Sequence, residues 1–131
     1  MRLLDTNICV CLIRRRPPAV RARLSEFESE GIAISVITAM ELEVGARRAD
    51  ATEYARQVAA LLSTLRIVSL DDSARAAYGA LRLDLQRRAS LIGPLDMLIA
   101  AHALALDATL VTNNQREFQR VKGLRIENWV K

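Results

Sequence analysis

The feature that most limits how this chain can fold is its alternation of short aliphatic runs with longer stretches of helical period. The runs are Met1-Arg2-Leu3-Leu4, Ile32-Ala33-Ile34, Ile67-Val68-Ser69-Leu70, Thr109-Leu110-Val111-Thr112 and Leu124-Arg125-Ile126-Glu127. Between them apolar residues recur at i, i+4 and i+7, as at Val20, Leu24 and Phe27, or along Val58, Leu61, Leu62 and Leu65. Strands separated by helices pair in parallel, because each crossing back to the start of the next strand is itself a helix. The pattern therefore predicts an α/β fold with a mostly parallel central sheet sandwiched between helices. At 131 residues, residues 1–131 fit a single domain with one core and no linker.

The punctuation between elements is equally readable. Thr6 or Asn7 is placed to cap a helix from Ile8 to about Arg14, and Arg14-Arg15-Arg16-Pro17-Pro18 ends it. Pro18 opens a second helix that closes at Gly31. Ser35 or Thr38 caps a helix from about Val36 to Arg47, and Asp50 and Glu53 have the offset of a capping box. Asp71 or Asp72 starts a helix running to Arg87-Arg88. Pro94 or Leu95 stands near the first position of an apolar helix, and Asn113-Asn114 caps a short one through Phe118.

Mapped onto such a sheet, the chemistry collects at one edge. Asp5 ends the first strand, Asn113 and Asn114 follow the fourth, and Glu41 and Asp96 lie in the first turns of helices that begin near the same edge. Ligands bind at the carboxyl ends of parallel strands, in the crevice that the loops leave open. Carboxylates gathered there repel one another unless a counter-charge joins them, and a hard divalent cation supplies it. Mg²⁺, with Mn²⁺ as a possible substitute, takes carboxylate, amide and water oxygens. Zinc is not favoured, since His102 has no second histidine to join it and Cys9 and Cys11, two apart on a helix, point to different faces.

Every one of these positions also has a purely structural use. Asp5 fits a helix N-cap, Asp96 a first-turn carboxylate at the positive end of a helix, and Glu41 a surface ion pair. His102 falls well off the Asp96 face and reads as a packed or hydrogen-bonded core histidine, and both cysteines as reduced thiols.

Charge points towards a polyanion. The net charge is +4, and of the 19 basic residues only Lys122 and Lys131 are lysines. Arginine is the side chain suited to bidentate phosphate contacts. Arg14, Arg15 and Arg16, together with Arg87, Arg88, Arg116 and Arg120, are candidates for steering the phosphates of such a partner. The longest apolar run, Met97 to Leu106, is about half of the ~20 residues a bilayer needs. Asp5 and Asn7 break what would have to be a continuous signal segment, so a cytoplasmic protein is expected.

Four blocks then carry a family likeness. Leu3-Leu4-Asp5-Thr6-Asn7, Ser35 through Leu42, Ile92 through Ala101, and Leu110-Val111-Thr112-Asn113-Asn114 through Glu117-Phe118 resemble PIN-domain ribonucleases, and more closely the VapC toxins of bacterial type II toxin–antitoxin systems. The likeness extends to the Gly123-Leu124 and Glu127-Asn128-Trp129 ending. It implies a Mg²⁺-dependent endoribonuclease whose metal is held by Asp5 and Asp96, with Glu41 supporting the ion or its water. It implies hydroxyls of Thr6 and Thr112 near the carboxylates, Ser35 behind them, and a catalytic place for Asn114, with Asn113 beside it. It implies a homodimer and a cognate antitoxin covering the cleft, with operator DNA reached only through the antitoxin complex. The chain departs from the pattern at Asn114, where many PIN domains carry a fourth acid. A weakened PIN fold that binds RNA or a partner without cutting is the alternative this raises.

Two other acid-based chemistries fit poorly. An aspartyl phosphatase wants a second aspartate two residues after the first, where Asn7 stands, and a phospho-accepting receiver wants a lysine after a late strand.

Overall fold

A computed structural model of the chain describes residues 1–48 and 52–131. Five strands, β1 (Arg2–Leu4), β2 (Ile32–Ser35), β3 (Arg66–Val68), β4 (Thr109–Val111) and β5 (Ile126–Glu127), form one sheet in the order β3-β2-β1-β4-β5. Every pairing is parallel, as the alternation predicts. The helices are α1 (Thr6–Arg14), α2 (Pro18–Phe27), α3 (Val36–Arg48), α4 (Thr52–Thr64), α5 (Ser73–Arg87), α6 (Pro94–Ala105) and α7 (Gln115–Phe118).

The strands are short because both sheet faces are covered, and the side chains divide accordingly. Leu3, Ala33 and Leu110 point into one buried cluster with α5 and α6. Leu4, Ile34 and Val111 point into the other with α1, α2 and Trp129. Alternation at period two along each strand produces this division.

Several boundaries differ from those expected. Asp5 itself, not Thr6 or Asn7, caps α1, its carboxylate accepting from the Ile8 N–H at 2.9 Å. The second helix closes at Phe27, and a single 3₁₀ turn, Glu28–Glu30, fills the space before Gly31. Ser35 accepts from the Ile37 N–H at 3.1 Å at the start of α3, while Thr38 lies inside the helix, fully buried with its hydroxyl unpartnered. The third strand begins at Arg66 and ends at Val68, because Asp71 folds its carboxylate back onto Ser73 and turns the chain early. Asp72 occupies the cap position of α5 without a side-chain bond. The fourth strand stops at Val111, and the last keeps only Ile126 and Glu127. Asn114 stands at the cap position of α7 but does not bond it with its side chain. Asp50 of the expected capping box lies outside the described residues.

Candidate active site

The strand register places the site. Leu4 lies opposite Ile34 on one side and Val111 on the other. One residue further along, Ser35, Asp5 and Thr112 therefore form a row across the carboxyl edge of the sheet. All three are buried. By alternation they point to the face that α6 covers.

Asp5 is held from two sides. One carboxylate oxygen accepts the Ile8 N–H, and the other accepts the Thr112 hydroxyl in a short hydrogen bond. Thr112 Oγ1 in turn accepts the Asn114 N–H at 2.8 Å. The α1 N-terminus and the β4–α7 turn thus fix both oxygens. Glu41, on the second turn of α3, accepts from Thr6 Oγ1 at 2.6 Å, which ties it to the first residue of α1. Asp96 sits in the first turn of α6, behind Pro94.

The acids act on one another. Burial pushes the Asp5 carboxyl up to about 6 against the pull of its hydrogen bonds, and Glu41 adds to the rise. Asp96 is also pushed up to about 6, first by burial, then by the charges of Asp5, Glu117 and Glu41. No arginine or lysine contributes to either shift. Glu117 escaped the sequence reading. It is half-buried on α7 and acts on Asp96 more strongly than Glu41 does. Its sequence signals are its place in the fourth family block and its position three residues beyond Asn114, which puts it in the first turn of α7.

The other expected residues divide. Asn114 is half-buried at the site, whereas Asn113 is exposed and its amide oxygen accepts from Asn128 at 3.2 Å. Ser35 bonds none of the acids; its hydroxyl meets His102 Nδ1 at 2.8 Å. Arg116 is exposed on α7 beside Glu117. Arg14 and Arg15 are elsewhere, since α1 begins at Asp5 and its nine residues carry the chain roughly 13 Å along the helix axis. Arg15 there lines a groove of about 520 Å³ with Arg21, Leu12, Leu24 and Leu61. Arg120 is engaged in architecture, donating to the Leu91 carbonyl at 3.2 Å. Cys9 and Cys11 are free, and burial pushes both thiols up.

The buried Asp5 and the half-buried Glu41, Asp96 and Glu117 offer only oxygen donors, which suits a hard cation of the Mg²⁺ type. Among the described residues no three His, Cys, Asp or Glu side chains already stand as a finished cage.

With this geometry in view, the relatives are decisive. The PIN domain family profile matches residues 2–124, and a ribonuclease VapC2 of Rickettsia felis is 40% identical over 131 residues, covering 98% of each chain. This chain is a PIN domain of the VapC type. A tRNA(fMet)-specific endonuclease VapC of Salmonella typhimurium is 38% identical over 128 residues, covering 97% of this chain and 96% of the other. Among solved structures, the Rickettsia felis VapBC2 complex bound to a promoter DNA fragment superposes with a TM-score of 0.93 at 38% identity, covering 98% of each chain. The PIN fold accounts for the all-parallel sheet with acids along its carboxyl edge. Among the described residues no helix of this PIN domain is long and apolar enough to cross a membrane.

Proposed function

We propose that the chain is the toxin of a type II toxin–antitoxin pair, a Mg²⁺-dependent endoribonuclease that hydrolyses RNA phosphodiester bonds. Membership of the VapC ribonucleases supports the reaction class. The observation that carries the metal dependence is an acid group, buried at Asp5 and half-buried at Asp96, whose two aspartates are both raised towards neutrality with no basic side chain pulling either down.

Asp5 and Asp96 would hold the ion, with Glu41 and Glu117 as further oxygen donors and Mn²⁺ as a substitute. A bound Mg²⁺ supplies Lewis acidity at the phosphoryl oxygen and lowers the pKa of an attacking water. The chain's own contribution is orientation. The Ile8 N–H and the Thr112 hydroxyl leave Asp5 little rotational freedom, and Thr6 aims Glu41 by its 2.6 Å bond. The half-buried Asn114 amide is able to position a water, and Arg116 to attract a phosphate to this edge.

The same reading includes an antitoxin. The Rickettsia felis relative is solved as a VapBC complex, and an antitoxin side chain of positive charge placed among the acids would supply the missing counter-ion. The non-cutting alternative rests on Asn114, yet Glu117 restores a fourth carboxylate beside Asp96.

Incubation of the purified chain with structured RNA tests the proposal. Cleavage is expected in Mg²⁺ and not in EDTA, and loss of cleavage in Asp96→Asn with an unchanged circular dichroism spectrum. Equal cleavage in EDTA would refute metal dependence, and RNA retention without cleavage would favour the alternative.

A further inference from the structure

Of the buried polar residues, Asp5 and Thr112 belong to the acid site, while Ser35 and His102, 0% and 2% exposed, have no part in it so far. We propose that Ser35 and His102 are positioning residues whose buried hydrogen bond locks α6 against the β2–α3 junction and thereby sets Asp96 relative to Asp5 and Glu41. This rests on the metal-site reading above.

The bond joins residues 67 apart in sequence at 2.8 Å. Ser35 Oγ already accepts the Ile37 N–H at 3.1 Å, which leaves its single proton free to be donated to His102 Nδ1. With Ser35 donating, the ring is neutral and carries its proton on Nε2. Burial lowers the imidazole pKa against the opposing pulls of a Ser69 backbone hydrogen bond and of Asp71, which agrees with a neutral ring. One imidazole thus links the end of β2, the segment after β3 and the last turn of α6.

Both partners lie six residues from an acid. Ser35 ends β2 immediately before α3, which carries Glu41 on its second turn, and Asp96 precedes His102 along α6, roughly 9 Å distant along the helix axis. Ser35 is also the neighbour of Asp5 in the edge row that the strand register defines. The rest of the α6 contact is formed largely by Ala100, Ala101 and Ala103 with Met97 and Ile99. Short apolar side chains make non-directional contacts, which specify the rotation and height of α6 less tightly than a hydrogen bond does. A directional polar bond in a low-dielectric core removes that freedom, because breaking it strands two buried polar groups. Productive sites need their ligands held to within about 0.5 Å.

The discriminating variants are His102→Asn, whose amide oxygen takes the place of Nδ1 and keeps an acceptor for Ser35, and His102→Gln, whose amide lies near Nε2 and leaves Ser35 without one. Both are polar and of similar bulk, so general destabilisation falls on both. Mn²⁺ affinity, read from the electron paramagnetic resonance signal of free ion, and the Mg²⁺ concentration for half-maximal RNA cleavage are measured beside the melting temperature. His102→Gln and Ser35→Ala are expected to weaken Mn²⁺ binding about tenfold, a usual effect of losing a group that orients metal ligands. His102→Asn and Ser35→Thr should stay within about twofold of the parent by the same logic. Equal Mn²⁺ affinity in His102→Asn and His102→Gln, whatever their melting temperatures, would overturn the tie. A parent chain that binds no Mn²⁺ would instead overturn the metal-site reading on which it rests.

Discussion

At the scale of single residues, the acid site is a place where stability and function oppose each other. Asp5 is 4% exposed and its carboxyl stands at about 6 where the ordinary value is 3.8, which makes the ionised form costly by roughly 3 kcal/mol when no cation is bound. Asp5→Asn keeps an oxygen for the Ile8 N–H and removes the charge. The variant is expected to melt at a higher temperature than the parent in EDTA at pH 7.5, although Thr112 loses its acceptor, and to lose cleavage by roughly a hundredfold or more. A lower melting temperature would mean that the Thr112 bond outweighs the buried charge. Glu117→Gln tests the acid that the sequence did not announce. Removing the neighbour that acts on Asp96 should bring the Asp96 carboxyl down, visible by NMR titration, while Mg²⁺ affinity falls by about tenfold. An unchanged Asp96 titration would remove Glu117 from the site.

At the scale of elements, the C-terminal strand works as a latch on the sheet face opposite α6. Trp129 is fully buried and stacks on Phe27 at 5.9 Å between centroids, Arg2 lies 3.6 Å over the Phe27 ring, and Arg2 also pairs with Glu127 at 2.9 Å. Trp129→Ala is expected to cost about 3–5 kcal/mol in urea unfolding and to leave Mn²⁺ affinity unaltered in the folded protein, since the acids face the other layer. A large fall in affinity would show that the two layers are coupled. These elements were readable in advance to the extent that their information is local. Period three-to-four in α5 and the short aliphatic runs of β1 and β4 are written in consecutive residues. Whether Asp5 or Thr6 caps α1 depends on a one-residue register that composition does not determine, because both side chains are able to cap. The Ser35–His102 bond and the approach of Glu117 to Asp96 join distant segments, and no local pattern expresses them. The family motifs located Asp5, Glu41 and Asp96 without geometry. Glu117 closes the fourth motif without a role of its own there, because Asn114 holds the position at which many PIN domains carry their fourth acid.

At the scale of the whole molecule, net charge and local charge run opposite ways. A chain of net charge +4 carries its densest buried negative charge at one sheet edge, so metal, pH and folding must be linked. Without metal, Asp5 and Asp96 bind protons more tightly folded than unfolded. Their contribution to stability is complete below the unfolded value near 3.8 and is lost as pH rises through about 6. Glu127, held low by its hydrogen bonds from Arg2, acts in the other sense, its contribution lost as pH falls below the ordinary carboxylate range. In EDTA the melting temperature should therefore peak near pH 5, by this linkage, and decline towards neutrality. Mg²⁺ binds the ionised acids, so its stabilisation grows over the same interval in which theirs is lost. At a free concentration of 100 times its dissociation constant the ion should add about 2.7 kcal/mol above pH 7 and almost nothing at pH 5. Differential scanning fluorimetry with and without Mg²⁺ across this range measures the difference directly. A Mg²⁺ effect independent of pH would mean that the ion binds somewhere other than at Asp5 and Asp96.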